Sequence, residues 1–338
     1  MAIREAAFYT KAAESIVNCG LCAQHCRIKP GDVGLCGVRR NVNGTLMTLV
    51  YGLTVAENID PIEKKPLFQF LPGTRSFSIA TAGCNFRCRH CQNSDISQMP
   101  RDAGQILGRP LAPAEAVGRA QAAGCASISY TYTEPTIYFE YAYDTAVLAR
   151  QAGLKNVFVT NGYITAEPLR AIAPYLDAAN VDLKSFSDEF YKRVCGARLQ
   201  PVLTALKLYR ELGIWLEVTT LVIPGENDSD EDLGGCARFI AEQLGPDVPW
   251  HVSGFHPTYL LTERPSTPVE TLRRAVRIGR EAGLQFVYEG NVPGEGEDTV
   301  CPSCKKAVVS RVGYLVRGNR LREGRCPDCS AAVAGVWG

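Results

Sequence analysis

The stretch Thr81-Ala-Gly-Cys-Asn-Phe-Arg-Cys-Arg-His-Cys-Gln-Asn93 places three cysteines, Cys84, Cys88 and Cys91, in one short loop. The apolar run before it, residues 77–82, has the character of a buried strand, so the loop is expected to follow that strand directly. Thiolates are the ligands of iron–sulfur clusters, and three of them on a [4Fe–4S] cluster leave one iron open to another molecule. A structural zinc site would take four ligands. The spacing therefore favours an open [4Fe–4S] cluster over zinc or free thiols.

From about residue 76 onward, short apolar runs alternate with amphipathic stretches of about 10 to 15 residues, the pattern of βα units and a parallel sheet. The predicted strands cover residues 77–82, 127–132, 157–160, 181–183, 216–222, 252–255 and 285–288. The predicted helices cover residues 113–123, 138–152, 167–175, 202–212, 230–244 and 268–282. The last helix is expected to start with Thr267 as its N-cap. These elements predict an α/β fold.

A polar or metal-binding residue follows nearly every predicted strand. These residues are Cys84, Glu134, Asn161, Asp182 with Lys184, Thr219 with Thr220, His256 and Asn291. In a barrel of parallel strands such positions meet at one rim, where the active site forms. Any one of them could be an ordinary polar loop residue. Polar residues at the ends of seven successive strands favour a functional site.

Two further cysteine groups flank the predicted barrel. Cys19, Cys22, Cys26 and Cys36 supply four thiolates that suit either zinc or an auxiliary [4Fe–4S] cluster. Cys301-X2-Cys304 and Cys326-X2-Cys329 have a spacing close to that of a structural zinc site, which favours zinc over an iron cluster, in a tail that we expect to be poor in strands. The single cysteines Cys125, Cys195 and Cys236 lie among small or apolar residues and are expected to be buried, inert thiols.

Composition limits the classes of protein that this chain can be. Its 338 residues are 46% hydrophobic and 21% charged, which excludes disorder and suits one large domain with smaller appendages. A net charge of +1 argues against nucleic acid or a membrane surface as a partner of the whole molecule. No apolar run approaches the roughly 18 residues of a membrane span. Because disulfides are rare in the cytoplasm, the expected location, the cysteines favour metal binding.

The cysteine loop and its context resemble the radical S-adenosylmethionine (SAM) superfamily, and the continuation Cys91-Gln-Asn93 resembles its glycyl-radical-enzyme activases, such as pyruvate formate-lyase activating enzymes. The whole chain is similar to the AmmeMemoRadiSam system radical SAM enzymes. The motifs that carry this likeness are the N-terminal four cysteines, DPIEKKPL, TAGCNFRCRHCQN, YTYTEPT, VDLK, LVIPGEND, FHP and the terminal CPxC pairs.

The resemblance implies a partial (β/α)6-type, TIM-like barrel over residues 76–296, preceded by the metal-binding segment 1–75 and followed by a zinc-ribbon-like module at 297–338. Cys84, Cys88 and Cys91 would hold the catalytic cluster, whose open iron binds SAM. The residues that would contact SAM are Glu134, Asn161, Asp182, Lys184, Thr220 and His256, with His90 beside the adenine. The Gly-Gly-Glu that usually meets the SAM amino group is replaced here by Tyr132-Thr133-Glu134.

The implied activity is that of an oxidoreductase: reductive cleavage of SAM to a 5′-deoxyadenosyl radical, which takes hydrogen from a substrate that the sequence does not identify. The implied partners are an electron donor such as flavodoxin or ferredoxin, and a protein substrate or AmmeMemo-type proteins. One alternative is an activase that installs a glycyl radical on a partner protein. Another alternative is a non-catalytic, metal-dependent module that binds nucleic acid through Arg317, Arg320 and Arg322 of the basic tail.

Overall fold

A computed structural model describes residues 3–291 and 296–337 of the chain. The first strands are β1 (Arg4–Glu5), β2 (Tyr9–Lys11), β3 (Val17–Cys19), β4 (Arg27–Ile28), β5 (Arg39–Val42) and β6 (Thr45–Thr48). They form two antiparallel three-stranded sheets, in the orders β1-β6-β5 and β2-β3-β4. This N-terminal segment therefore has its own small sheets around the first cysteine group.

Within the described residues, the central sheet has nine strands. They are β7 (Leu53–Pro61), β8 (Arg75–Thr81), β9 (Arg109–Pro110), β10 (Ser127–Tyr130), β11 (Lys155–Thr160), β12 (Ala178–Asp182), β13 (Trp215–Val222), β14 (Trp250–Gly254) and β15 (Val287–Gly290). Their order is β15-β14-β13-β12-β11-β10-β8-β7-β9. Strand β8 and strands β10 to β15 are parallel, while β7 and β9 extend one edge antiparallel. The carboxyl ends of seven parallel strands thus share one rim.

Helices connect the parallel strands. The α-helices of the described residues are α1 (Ser94–Ser97), α2 (Met99–Asp102), α3 (Pro113–Ala122), α4 (Phe139–Gln151), α5 (Ala166–Ile172), α6 (Asp188–Phe190), α7 (Leu199–Glu211), α8 (Asp230–Phe239) and α9 (Val269–Glu281). Helices α3, α4, α5, α7, α8 and α9 each cross between successive parallel strands. Six strand–helix units and a seventh strand confirm the predicted α/β fold with a partial, TIM-like barrel.

Helix α9 shows how the sequence fixes this packing. Leu272, Ala275, Val276 and Gly279 are spaced at i, i+3, i+4 and i+7, and all four are buried. A Cβ atom on Gly279 would lie 2.9 Å from a methyl group of Val287 and 3.0 Å from the ring of the β14 residue Trp250. Only glycine at this position lets the helix approach the sheet so closely.

The predicted N-cap of this helix is wrong. Pro268 occupies the cap position, and the helix begins at Val269. The Thr267 hydroxyl instead donates to the carbonyl of Val222 (2.6 Å) and accepts from the amide of Phe255 (2.8 Å). Thr267 therefore joins the ends of β13 and β14. Its hydroxyl satisfies two buried backbone groups, the Val222 carbonyl and the Phe255 amide.

The C-terminal tail is richer in strands than predicted. Strands β16 (Thr299–Val300), β17 (Ala307–Val312) and β18 (Leu315–Asn319) form an antiparallel sheet, and Gly313, at φ +58°, lies in the turn of the second hairpin. The side chains of β18 are exposed or half-buried, so the strand lacks the apolar alternation on which the prediction relied. Residues 292–295, which lie inside the predicted barrel range 76–296, are outside the described residues.

The C-terminal module packs on the base of the barrel. Its buried Cys301 and Cys326 belong to one apolar cluster with Phe68, Phe286 and Tyr288. None of the helices in the described parts of the chain is both long and apolar enough to cross a bilayer.

Candidate active site

The cysteine loop leaves the carboxyl end of β8, as predicted, and a neighbouring segment holds its backbone. The amides of Arg87 and Arg89 donate to the carbonyls of Cys195 (2.8 Å) and Val194 (2.9 Å). Gly83 turns the chain out of the strand with φ +101°, a conformation that favours glycine. Protein contacts thus hold the backbone of the loop in place.

The three loop thiols are shielded from solvent. Cys88 is buried, and Cys84 and Cys91 are half-buried. Burial raises the pKa of the Cys84 thiol well above its usual value, and it also raises the pKa of Cys91. The Ser97 hydroxyl lies 3.1 Å from the Cys91 sulfur. Buried thiols with polar neighbours become ligands when a metal replaces the proton, so the site fits thiolate ligation of a cluster.

The spacing of the sulfurs separates this loop from a single-ion site. Among the described residues, one group of three or more Cys, His, Asp or Glu side chains has all its ligand atoms within 4.8 Å of one another. That group is Cys301, Cys304, Cys326 and Cys329. The thiols of Cys84, Cys88 and Cys91 do not meet this limit, which suits ligands that bind different irons of one cluster.

An ion pair lies on the same rim. The Lys184 ammonium contacts the Asp182 carboxylate at 2.8 Å, at the end of β12. Burial alone would lower the pKa of Lys184, but the Asp182 carboxylate holds it well above its usual value. Lys184 therefore stays positively charged beside the cysteine loop, as a group that binds a carboxylate must.

Glu134 follows β10 and is fully buried. Its Oε1 accepts hydrogen bonds from the Thr136 amide (3.0 Å), the Thr136 hydroxyl (2.6 Å) and the Thr160 hydroxyl (2.7 Å). Its Oε2 accepts from the Asn161 amide (2.8 Å). Burial raises the pKa of Glu134, while these donors oppose the rise. The carboxylate thus joins the ends of β10 and β11, and its predicted contact with the SAM amino group stays a prediction.

Asn161 joins the rim to the cysteine loop. Its side-chain amide donates to Asn85 Oδ1 (2.8 Å) and lies 3.8 Å from the Cys84 sulfur. Its Oδ1 accepts from the amide of Tyr163 (3.0 Å). Asn161 therefore lies just after β11 with its side chain bonded to protein groups, and its predicted contact with SAM stays a prediction.

The remaining predicted SAM contacts differ in exposure. His90 is buried with its ring centroid 6.2 Å from that of Phe190, and burial, together with the nearby Lys184 charge, lowers its pKa to about 3. Thr220 is buried and donates to the Leu183 carbonyl at 2.7 Å. His256 is exposed at the rim, with Nδ1 3.1 Å from the Ser266 hydroxyl.

Comparisons with known proteins place this chain in a family. Residues 78–234 match the profile of the Radical SAM superfamily. An uncharacterized protein of Methanocaldococcus jannaschii is 51% identical over 334 residues, which is 98% of this chain and 99% of the relative. A pyruvate formate-lyase-activating enzyme of Streptococcus mutans is 23% identical over 54% of this chain and 73% of its own length.

Residues 78–234 form a domain of the radical SAM superfamily. Members of this superfamily are enzymes that use a [4Fe–4S] cluster and SAM, so this protein is an enzyme of that kind. A radical SAM methyltransferase from Sphaerobacter thermophilus shares the fold, with TM-score 0.51 and 18% identity over 65% of this chain and 67% of that one. The structure of Streptococcus suis SuiB bound to S-adenosylmethionine has a TM-score of 0.51 and 15% sequence identity to this protein. The match covers 68% of this chain and 52% of SuiB.

The departure from the superfamily's Gly-Gly-Glu has a structural counterpart. Tyr132, in the first glycine position, takes φ +63°, the left-handed conformation that glycine adopts without strain. Asn93 of the cysteine loop donates to the Tyr132 carbonyl at 2.8 Å. The strand-end pattern in the sequence does not point to Asn85, Asn93 or Ser97. All three lie within or just after the cysteine motif, and that proximity was the available signal.

The flanking cysteines are brought together as two groups. Cys19, Cys22, Cys26 and Cys36 line one largely enclosed cavity. In the C-terminal module, Cys301 and Cys329 have their sulfurs 3.6 Å apart, and so do Cys304 and Cys326. Four thiolates at about 2.3 Å from one zinc ion would lie about 3.8 Å apart, so the C-terminal group suits a single tetrahedral ion.

The single cysteines are buried, as expected. Cys195 has a further feature, because its hydrogen bond to the loop cysteine Cys88 lowers the pKa of that thiol. In the basic tail, Lys306 and Arg320 both pair with Asp328, at 3.0 and 2.8 Å, and Arg311 is buried. Part of the tail's positive charge is therefore used inside the module.

Proposed function

We propose that this protein is a radical SAM enzyme of the AmmeMemoRadiSam type, which cleaves SAM to take hydrogen from a substrate. The observation that supports this most is the three-cysteine loop at the end of β8, beside the Lys184–Asp182 pair at the end of β12. Cys84, Cys88 and Cys91 would hold the cluster. When bound, it supplies the electron for cleavage of SAM to a 5′-deoxyadenosyl radical.

Each rim residue has a task in this proposal. SAM carries a carboxylate and an adenine, and each needs a partner. The Lys184 ammonium binds the carboxylate, with Asp182 orienting it at 2.8 Å. Glu134 fixes the strand ends through its four hydrogen bonds, and Asn161 extends that support to the cysteine loop. His90 and His256 lie beside the adenine in this proposal. Thr220 supports the rim from inside the barrel.

The test of this function is SAM cleavage under anaerobic conditions. Protein reconstituted with iron and sulfide, then reduced and given SAM, should release 5′-deoxyadenosine. The reduced cluster's electron paramagnetic resonance spectrum should also change when SAM binds. A loaded cluster that neither responds to SAM nor yields 5′-deoxyadenosine would count against the proposal.

A glycyl-radical activase is the second candidate, because several relatives carry that name. Besides the Streptococcus mutans enzyme, the isethionate sulfite-lyase activating enzyme of Nitratidesulfovibrio vulgaris is 31% identical over 143 residues, 38% of this chain. An activase would bind a large partner protein and leave a glycyl radical on it. Co-purification followed by paramagnetic resonance of the partner would detect that radical, and its absence would favour another substrate.

The proposal extends to the whole chain. We assign residues 1–75 to an N-terminal metal-binding segment, 76–296 to the barrel and 297–338 to a zinc-binding module. A one-electron donor of the flavodoxin or ferredoxin class would reduce the enzyme. The described cysteines are free thiols rather than disulfides, which supports the reducing cytoplasm as the working location.

A further inference from the structure

The four N-terminal cysteines line one small cavity. Cys19, Cys22, Cys26 and Cys36 come from different parts of the first segment, and all four line the same cavity. Yet no three of them bring their sulfurs within 4.8 Å of one another, in contrast to the C-terminal four. The same chain thus holds one compact thiol tetrahedron and one wider ring of thiols.

Two unused hydrogen-bond donors belong to residues that line this cavity. Arg39 is 1% exposed, and its Nε has no partner although its terminal nitrogens bind Glu140 and the Ala7 carbonyl. Asn85 is 2% exposed, and its Nδ2 also lacks a partner. Buried donors cost stability unless an acceptor reaches them. Both residues line the cavity together with the cysteines.

A bound group that satisfies these donors needs acceptor atoms of its own. A zinc ion in a thiolate tetrahedron would draw the four sulfurs to about 3.8 Å, and its only acceptors are those four thiolate sulfurs. An iron–sulfur cluster brings inorganic sulfides, which accept hydrogen bonds, and it separates its four thiolate ligands by binding each to a different iron. The wide ring and the two free donors both match the cluster.

The cavity adjoins the catalytic loop. Asn85, which follows the first loop cysteine, lines it, and the Gln24 side chain beside Cys22 donates to the Asn85 carbonyl at 2.8 Å. On its other side, Asn85 Oδ1 accepts from Asn161, the residue next to the Cys84 sulfur. One residue thus spans the two cysteine sites.

We propose that Cys19, Cys22, Cys26 and Cys36 bind a second iron–sulfur cluster, with Arg39 and Asn85 donating hydrogen bonds to it. This cluster can be present whether or not the protein cleaves SAM. Its use rests on that function: one electron from a ferredoxin- or flavodoxin-class donor reduces the second cluster and then passes to the catalytic one. No bond or proton changes in that transfer.

The test removes the catalytic ligands and asks what metal remains. The triple variant Cys84→Ala/Cys88→Ala/Cys91→Ala, purified without oxygen, should retain about four iron and four sulfide per chain, with about one zinc in the C-terminal group. Adding Cys22→Ala and Cys36→Ala should abolish the iron and leave the zinc. Adding Cys125→Ala instead, at a buried cysteine outside all three groups, should change neither metal.

A second readout tests the donors without relying on activity. In the triple variant, Asn85→Ala should lower the reduction potential of the remaining cluster, because a lost hydrogen bond to sulfur favours the oxidised form. Asn18→Ala, at an exposed site beside Cys19, should leave the potential unchanged. A triple variant that is folded but holds two zinc ions and no iron would overturn the proposal. That result would leave SAM cleavage by wild-type enzyme untouched, so the two proposals fail separately.

Discussion

The hydroxyl of Tyr132 donates a hydrogen bond to the carboxylate of Asp60, 72 residues earlier in the chain. The same carboxylate accepts from the Lys65 ammonium at 2.6 Å, and that ammonium lies 4.5 Å from the centre of the Tyr132 ring. Tyr132 holds a left-handed φ of +63°, which costs a non-glycine residue roughly 1–3 kcal/mol. Asp60 and Lys65, both from the DPIEKKPL motif, therefore hold a tyrosine where related enzymes use glycine.

Asp60→Asn should destabilise the protein, because it leaves the buried Lys65 charge without its carboxylate. Removing one partner of a buried pair costs about 3–5 kcal/mol, and chemical denaturation at pH 7 would measure the loss. Asp32→Asn, at an exposed position, is the control and should change little. An Asp60→Asn variant as stable as wild type would show that the pair does not support Tyr132.

The difference in stability between wild type and Asp60→Asn should become smaller in acid. Burial alone would raise the pKa of Asp60, but hydrogen bonds from Lys65 and Tyr132 lower it well below its usual range. Since the folded pKa lies below the unfolded value of about 3.9, this stabilisation is complete above that pH and is lost as the pH falls through the folded pKa. The gap in unfolding free energy between wild type and Asp60→Asn should therefore narrow below about pH 4.

Glu134→Gln should weaken the rim while leaving the cluster in place. A glutamine keeps one acceptor but turns an NH2 group toward a donor, so we expect a loss of about 1–3 kcal/mol and slower 5′-deoxyadenosine release. Thermal unfolding and iron content would be measured together. Glu115→Gln on the exposed face of α3 controls for the lost charge. Unchanged stability and rate would mean that the four hydrogen bonds are dispensable.

Lys184→Met should impair SAM binding. Loss of a charge-assisted contact to the SAM carboxylate should raise the Kd by roughly tenfold to a hundredfold. Equilibrium dialysis with labelled SAM on the reconstituted protein would measure this, with iron content as a check on the cluster. Lys192→Met, which removes an exposed lysine paired with Asp188, should bind normally. Equal affinity for the two variants would remove Lys184 from the SAM site.

Cys301→Ala should release the C-terminal metal and loosen the base of the barrel. Its module packs on Phe68, and Arg311 donates to the Phe68 carbonyl at 2.5 Å. Because metal binding contributes folding free energy, the variant should lose about one zinc per chain and unfold at lower temperature. Iron should stay at the wild-type level. Retention of zinc would show that the metal lies elsewhere.

The barrel and the cysteine loop were predictable because each leaves a local pattern. Buried parallel strands are apolar runs, and the thiols of the cysteine loop fall within eight residues, from Cys84 to Cys91. The use of Thr267 to join β13 and β14 was not predictable, since both of its partners are distant in sequence. Glu134 poses the same difficulty, because its role depends on Thr160 and Asn161 of another strand. The conformation of Tyr132 is likewise set by tertiary contacts.

The measurement that tests the central claim most directly is 5′-deoxyadenosine formed per chain by three reduced, reconstituted proteins given SAM without oxygen. They are wild type, Cys91→Ala and the buried-cysteine control Cys125→Ala. We predict product from wild type and Cys125→Ala, and none above background from Cys91→Ala. Equal product from Cys91→Ala and wild type would contradict the assignment of the cysteine loop as the site of SAM cleavage.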